Sequence, residues 1–122
     1  MGLYVTNNPL VLEKAGLNNI SGSLTFTNGF MDVLTTARDM IHKGHRLLSH
    51  PLSGSVKPGE TPYKTIVLSK EAGSLDTDSL RIIEEAVVTA RKFNLKDKIS
   101  EKADKDFQLV DYTLIFDKTG GK

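Results

Sequence analysis

Alternation of apolar and polar residues near the N-terminus predicts two short strands. In the first, "LYVTN", Leu3 and Val5 lie on one face. The second, "LTFTN", alternates in the same way from Leu24. Between them, Asn8 suits the N-cap of a helix and Pro9 suits its first position, where no N–H donor is missed. We therefore expect a strand–helix–strand unit at the start of the chain.

The hydrophobic spacing becomes helical from Phe30. Apolar residues then recur at three- and four-residue intervals, and Gly44 ends the run. A second amphipathic helix is predicted from the apolar stripe between Leu80 and Ala90. A last helix is predicted over residues 103–118, with Val110 among its inward-facing residues.

Two further segments are typical of strands. "RLLSH" is a short candidate that stops at Pro51, whereas "YKTIVLSK" has the continuous apolar centre of a strand buried on both faces. The residues between them, 51–62, contain no helical pattern. The fourth strand is therefore most easily antiparallel to the third, although the sequence leaves its direction open.

The order of strands and helices predicts mostly parallel pairing with right-handed crossovers. We expect one α/β domain over residues 1–122, with a flexible tail from about residue 118. Its fold is expected to be a small sandwich in which helices flank a mostly parallel, roughly four-stranded sheet of Rossmann-like or flavodoxin-like order.

Composition then excludes several classes of function. The chain has no cysteine, so it offers no disulfide, thiolate nucleophile, iron–sulfur ligand or zinc–thiolate site. No apolar run approaches the length of a membrane span, and the net charge of +1 argues against a nucleic-acid partner bound through charge. We expect a cytoplasmic protein without membrane or nucleic-acid partners; the sequence does not determine whether it forms a homodimer.

One strip of sequence concentrates the candidate chemistry. Residues 42–64, "HKGHRLLSHPLSGSVKPGETPYK", hold all three histidines, three of the four prolines and a net charge of +3. A metal site is not expected, because Gly44 breaks the helix between His42 and His45 and Asp39 is the one suitable carboxylate beside them, whereas zinc sites need three or four convergent ligands. A serine–histidine catalytic pair is also disfavoured, because "LSGSVK" does not form a strand–turn–helix elbow.

Anion binding is the more favoured role for this strip. "SGSVK" combines a flexible glycine, two hydroxyl groups and a lysine, although neither a Walker loop nor a dinucleotide-binding glycine motif occurs in the chain. If the first and third strands are parallel, their carboxyl ends meet at one edge of the sheet, where ligands of open α/β sheets bind. A purely structural loop is an equal alternative. The expected ligand-binding residues are Asn7, Asn8, Arg46, Ser49, His50, Ser53, Gly54, Ser55, Lys57 and Lys64.

Four stretches of the chain resemble a known family. "TNNPLV", "ARDMIHKGHRLLSHPLSGSVKPGETPYK", "AVVTARKF" and "DFQLVDYTLI" are similar to the GrdX family, small proteins associated with the glycine reductase gene cluster of anaerobic amino-acid-fermenting bacteria. The resemblance covers nearly the whole chain. It implies an accessory role near glycine, sarcosine or betaine reduction, and it brings no catalytic residue with it.

These observations lead to one expectation and one rival. We expect a non-catalytic accessory or regulatory protein that needs no cofactor. It would bind a small anion (phosphate, acyl phosphate or carboxylate) or a glycine reductase component through residues 49–57. The rival is an enzyme acting on a phosphorylated or acyl-phosphate metabolite, with His50 as general acid or base. The sequence identifies no catalytic residue beyond this candidate.

Overall fold

The structure, a computed structural model, describes residues 2–49, 63–92 and 101–116. Within these ranges the helices and strands follow the predicted order, except that residues 46–49 do not form the expected third strand. They are β1 (Gly2–Thr6), α1 (Pro9–Glu13), β2 (Leu24–Phe26), α2 (Phe30–His42), β3 (Thr65–Ser69), α3 (Thr77–Arg91) and α4 (Glu101–Phe116), with a 3-10 turn at Ser21–Ser23. None of the helices in these ranges is long and apolar enough to cross a membrane.

Local sequence signals explain where the helices begin and end. The Asn8 side chain accepts a hydrogen bond from the N–H of Leu10 at 2.9 Å, which confirms it as the N-cap of α1. The side chain of Asp76 caps α3 in the same way. Gly44, just after α2, has φ +109°, a conformation that favours glycine.

The expected mostly parallel, four-stranded sheet is wrong. The sheet has three strands in the order β2-β1-β3. β1 pairs in parallel with β2, as expected for strands joined by a crossover, but β3 runs antiparallel to β1, with Thr6 opposite Thr65 and Gly2 opposite Ser69. This mixed sheet has neither Rossmann-like nor flavodoxin-like order.

Two serine hydroxyls explain why "RLLSH" does not form a full strand. Residues 46–49, here called the edge segment, run beside β3 and form only an isolated antiparallel bridge from Leu47 to Leu68. The N–H of Leu47 donates to the hydroxyl of Ser79, and the N–H of Val67 donates to the hydroxyl of Ser49. Side chains therefore take positions that backbone carbonyls occupy in a regular ladder.

Helices cover both faces of the sheet and create two cores. Val5 of β1 and Ile66 of β3 are fully buried against α2 and α3, and each such side chain contributes roughly 1.5–3 kcal/mol of hydrophobic stabilisation. On the other face a smaller core is formed by Val11, Ala15 and Ile20. Tyr4 of β1 and Phe116 of α4 pack against this smaller core, with ring centroids 5.6 Å apart. The smaller core therefore joins α4 to the sheet.

Candidate functional site

The carboxyl end of β1 leads into a cluster of buried polar residues. Six polar residues from three parts of the chain are 8% exposed or less, and we call them the polar cluster: Thr6, Asn7, Asn8, Lys64, Thr65 and Asp111. They bring together the end of β1, the start of β3 and the middle of α4. Polar groups buried to this extent require hydrogen-bond partners, and those partners define the site.

The carboxylate of Asp111 is the centre of the cluster. Its Oδ1 accepts the backbone N–H of Thr65 at 3.0 Å, and its Oδ2 accepts the hydroxyl of Thr65 at 2.6 Å. Oδ2 also accepts the side-chain amide of Asn8 at 2.9 Å. Three donors therefore converge on one carboxylate, and hydrogen bonds to a charged group are the stronger kind.

Asn8 uses both ends of its side chain. Its carbonyl oxygen caps α1, while its amide donates to Asp111 and, at 2.9 Å, to the backbone oxygen of Gln108. One asparagine thus links the first helix to the last across 100 residues or more of sequence.

A chain of hydroxyl groups orders the rest of the cluster. The Thr65 hydroxyl donates to Asp111, so in its 2.7 Å contact with the Thr6 hydroxyl the proton comes from Thr6. The Thr6 hydroxyl in turn accepts the N–H of Asn8 at 3.0 Å. Two hydrogen bonds join Asn7 to Lys64. The Asn7 N–H donates to the Lys64 carbonyl oxygen at 3.4 Å, and the Lys64 N–H donates to the Asn7 side-chain oxygen at 2.9 Å.

Lys64 is the buried base of the cluster. The residue is 6% exposed, and this burial lowers the pKa of its amine, an effect that the negative charge of Asp111 partly offsets.

A tyrosine at the rim of the cluster fixes a second contact with α4. The Tyr63 hydroxyl donates to Asp104 at 2.6 Å, and the Gln108 amide donates to the other oxygen of Asp104 at 2.8 Å. Burial, reinforced by the negative charge of Asp104, raises the pKa of Tyr63 to about 12. The tyrosine therefore stays protonated at neutral pH and acts as a donor.

The structure brings together three of the ten expected ligand-binding residues. Asn7, Asn8 and Lys64 meet in the polar cluster. His50, Ser53, Gly54, Ser55 and Lys57 lie outside the described residues, so their role stays a prediction.

Arg46 and Ser49 lie in the edge segment and are not members of the cluster. The backbone of Arg46 pairs with Ser69, which lies at the opposite end of β3 from Lys64. The Arg46 side chain is exposed. Ser69 follows Lys64 by five positions along the extended strand, a distance of roughly 16 Å. Ser49 binds the N–H of Val67 through its hydroxyl.

Sequence reasoning missed Asp111 and Thr65. A usable signal exists in α4, where Asp104, Gln108 and Asp111 recur at spacings of four and three and so share one face. The apolar stripe predicted for this helix is partly wrong, because Val110 is 42% exposed while Asp111 is buried. The shared face of Asp104, Gln108 and Asp111 was therefore the pattern that could have indicated a polar contact between α4 and the sheet.

Neither histidine that the structure describes lies in a metal-binding arrangement. The His45 ring Nδ1 lies 2.8 Å from the backbone oxygen of Ser69, to which it donates, and His42 is exposed in the last turn of α2. Within residues 2–49, 63–92 and 101–116, no three metal-ligating side chains are grouped closely enough to hold an ion.

Comparison with known proteins identifies one family. A family model described as GrdX-like protein matches residues 3–119. No curated protein and no solved structure matches the chain.

Proposed function

The chain belongs to the GrdX-like family, and on this premise we propose that it is a non-catalytic accessory or regulatory protein of the glycine, sarcosine or betaine reductase system. The observation that carries the proposal is the family match itself, which covers residues 3–119 of 122. The composition supports an accessory role, because a chain without cysteine has no thiolate with which to carry electrons or an acyl group.

The proposed working surface is the loop at residues 49–57 together with the polar cluster. Two described flanks support this location. The edge segment is antiparallel to β3, which is antiparallel to β1, so at Ser49 the chain runs towards the carboxyl end of β1. Lys64, the second residue of the described range that follows the loop, lies at that same end and is hydrogen-bonded to Asn7. The loop carries Lys57, and its partner would be a small anion or a reductase component.

Binding to purified reductase components tests the accessory role. The protein is immobilised and each glycine reductase component is passed over it separately, with and without glycine and phosphate. We expect saturable binding to one component. Lys57→Ala should weaken that binding by about tenfold, the effect of losing one well-placed ionic contact of roughly 1.4 kcal/mol.

Lys70→Ala is the matched control, because Lys70 is exposed and follows β3 at the opposite end of the strand. It should bind like the unaltered protein. If no component binds under any of these conditions, the accessory role is wrong. If Lys57→Ala and Lys70→Ala reduce binding equally, the partner does not use the loop.

A further inference from the structure

The donors around Asp111 form a cradle whose members lie outside α4, the helix that fills it. Its members, here called the carboxylate cradle, are the backbone N–H and hydroxyl of Thr65 and the side-chain amide of Asn8, together with the Lys64 amine, which interacts electrostatically with the carboxylate that they hold. All of them belong to β3, to the residue before it and to the cap of α1. Only the carboxylate comes from α4.

Contacts outside α4 hold the cradle in shape. Thr65 is fixed by its pairing with Thr6 across the sheet and by the hydroxyl contact between the two residues. The Asn8 side chain is oriented by its bond to the N–H of Leu10. Donors positioned in this way keep their direction if the carboxylate leaves, which lowers the cost of binding another one.

The attachment of α4 relies heavily on polar contacts. None of its described residues belongs to the larger core, and on its outer side Leu109 and Val110 are 53% and 42% exposed. Its apolar contacts come mainly from Tyr112 and Phe116 near one end. An element with little apolar burial opens at a lower free-energy cost than the core helices.

We propose that the carboxylate cradle is a binding site for a small carboxylate, and that Asp111 is a built-in competitor that closes the site while no ligand is bound. The geometry favours a carboxylate because two oxygens are needed, one for the Thr65 N–H and one for the Thr65 hydroxyl and the Asn8 amide. This inference rests on the ligand-binding half of the proposed function and names the class of ligand.

Rescue by formate tests the cradle directly. Asp111→Ala removes a group of the size of formate and leaves the donors in place. We expect sodium formate at constant ionic strength to raise the melting temperature of Asp111→Ala saturably. The unaltered protein should bind formate at least about tenfold more weakly, because there the resident carboxylate must first be displaced.

Three variants make the result specific. Asp106→Ala removes an exposed carboxylate from the same helix and should show no formate response beyond that of the unaltered protein. Asp111→Asn keeps the side chain in the cradle and should also show none. Adding Lys64→Met to Asp111→Ala should abolish the response, because the positive partner is lost.

Equal formate responses in Asp111→Ala and Asp106→Ala would overturn the proposal. If Asp111→Ala is unfolded alone, formate should restore its far-ultraviolet circular dichroism and its thermal transition; failure to do so also overturns it. Both outcomes are independent of the binding assay with reductase components, so they leave the accessory role untouched.

Discussion

Replacing Asn8 with aspartate separates its two structural roles. The new carboxylate keeps an oxygen that can accept the Leu10 N–H, so the cap of α1 survives. It also loses the amide that donates to Asp111 and Gln108. Two carboxylates then face each other in a site where the original amide and acid lie 2.9 Å apart. Like charges this close cannot both ionise without a large cost.

The magnitude follows from the bonds at this site. Asn8→Ala should lower the free energy of unfolding by roughly 3 kcal/mol, about 1 for the cap and about 2 for the hydrogen bond to a charged acceptor. Asn8→Asp should cost about 3–5 kcal/mol near neutral pH although the cap is kept, because a buried charge loses its partner and gains a repulsive neighbour.

The pH dependence is the sharper test of this reasoning. In Asn8→Asp the folded state holds a shared proton more tightly than the unfolded chain does, so the pKa of the pair is raised. The protonated carboxyl can then donate as the amide did. Relative to the unaltered protein, the variant should therefore be least destabilised below the ordinary carboxyl pKa of about 4, and its deficit should grow as the pH rises. The deficit of Asn8→Ala should change little with pH.

Urea denaturation across this pH range provides the measurement. Asn18→Asp is the matched control. The Asn18 amide also donates to α4, but its partner there is the Tyr112 hydroxyl, which can rotate and donate to a carboxylate; its other partner is the Lys14 carbonyl oxygen, which carries no charge. This control should lower the free energy of unfolding by less than about 1 kcal/mol, and the effect should be nearly the same at every pH. A small, pH-independent effect of Asn8→Asp would refute the assigned contact with Asp111.

Three further predictions address other parts of the structure. Folding raises the pKa of Tyr63 from its ordinary 10.0 to about 12, so the stability that this residue contributes below pH 10 should decline between those two values. Tyr63→Phe should make this alkaline decline shallower. An unchanged slope of the urea midpoint against pH would contradict the contact with Asp104. Gly44→Ala should lower the free energy of unfolding by about 1–3 kcal/mol or more, because φ is +109° and a Cβ would lie 2.1 Å from the Gly73 carbonyl oxygen; a melting temperature equal to that of the unaltered protein would be inconsistent with this turn. Ser79→Ala should lower the free energy of unfolding by about 1–3 kcal/mol, because it leaves the N–H of Leu47 in the edge segment without its acceptor. Hydrogen exchange at that amide should become faster. Unchanged exchange there would argue against the bond.

The positions of the helices were predictable because their signals are local. Apolar spacing located α2 and α3, and Asn8 and Gly44 marked a helix start and a helix end correctly. Capping and periodicity involve residues a few positions apart, so a single sequence contains what is needed.

The direction of β3 was not predictable in the same way. Its apolar run is compatible with either orientation, and the decision depends on which strand edge it meets. Here β1 lies on one side of it and the edge segment on the other, both antiparallel. Serine hydroxyls that replace backbone acceptors at that edge also leave the segment as an isolated bridge instead of the expected third strand.

The sequence alone therefore determined the helices, the parallel β1–β2 unit, the absence of thiol chemistry and the resemblance to the family that the comparison confirmed. Only the tertiary structure placed Asp111 against Thr65 and Asn8, residues 46 and 103 positions away. The physical reason is the range of each interaction. A cap or an apolar stripe is set by neighbours along the chain, whereas a buried carboxylate is satisfied by whichever donors the packed strands and helices bring within about 3 Å.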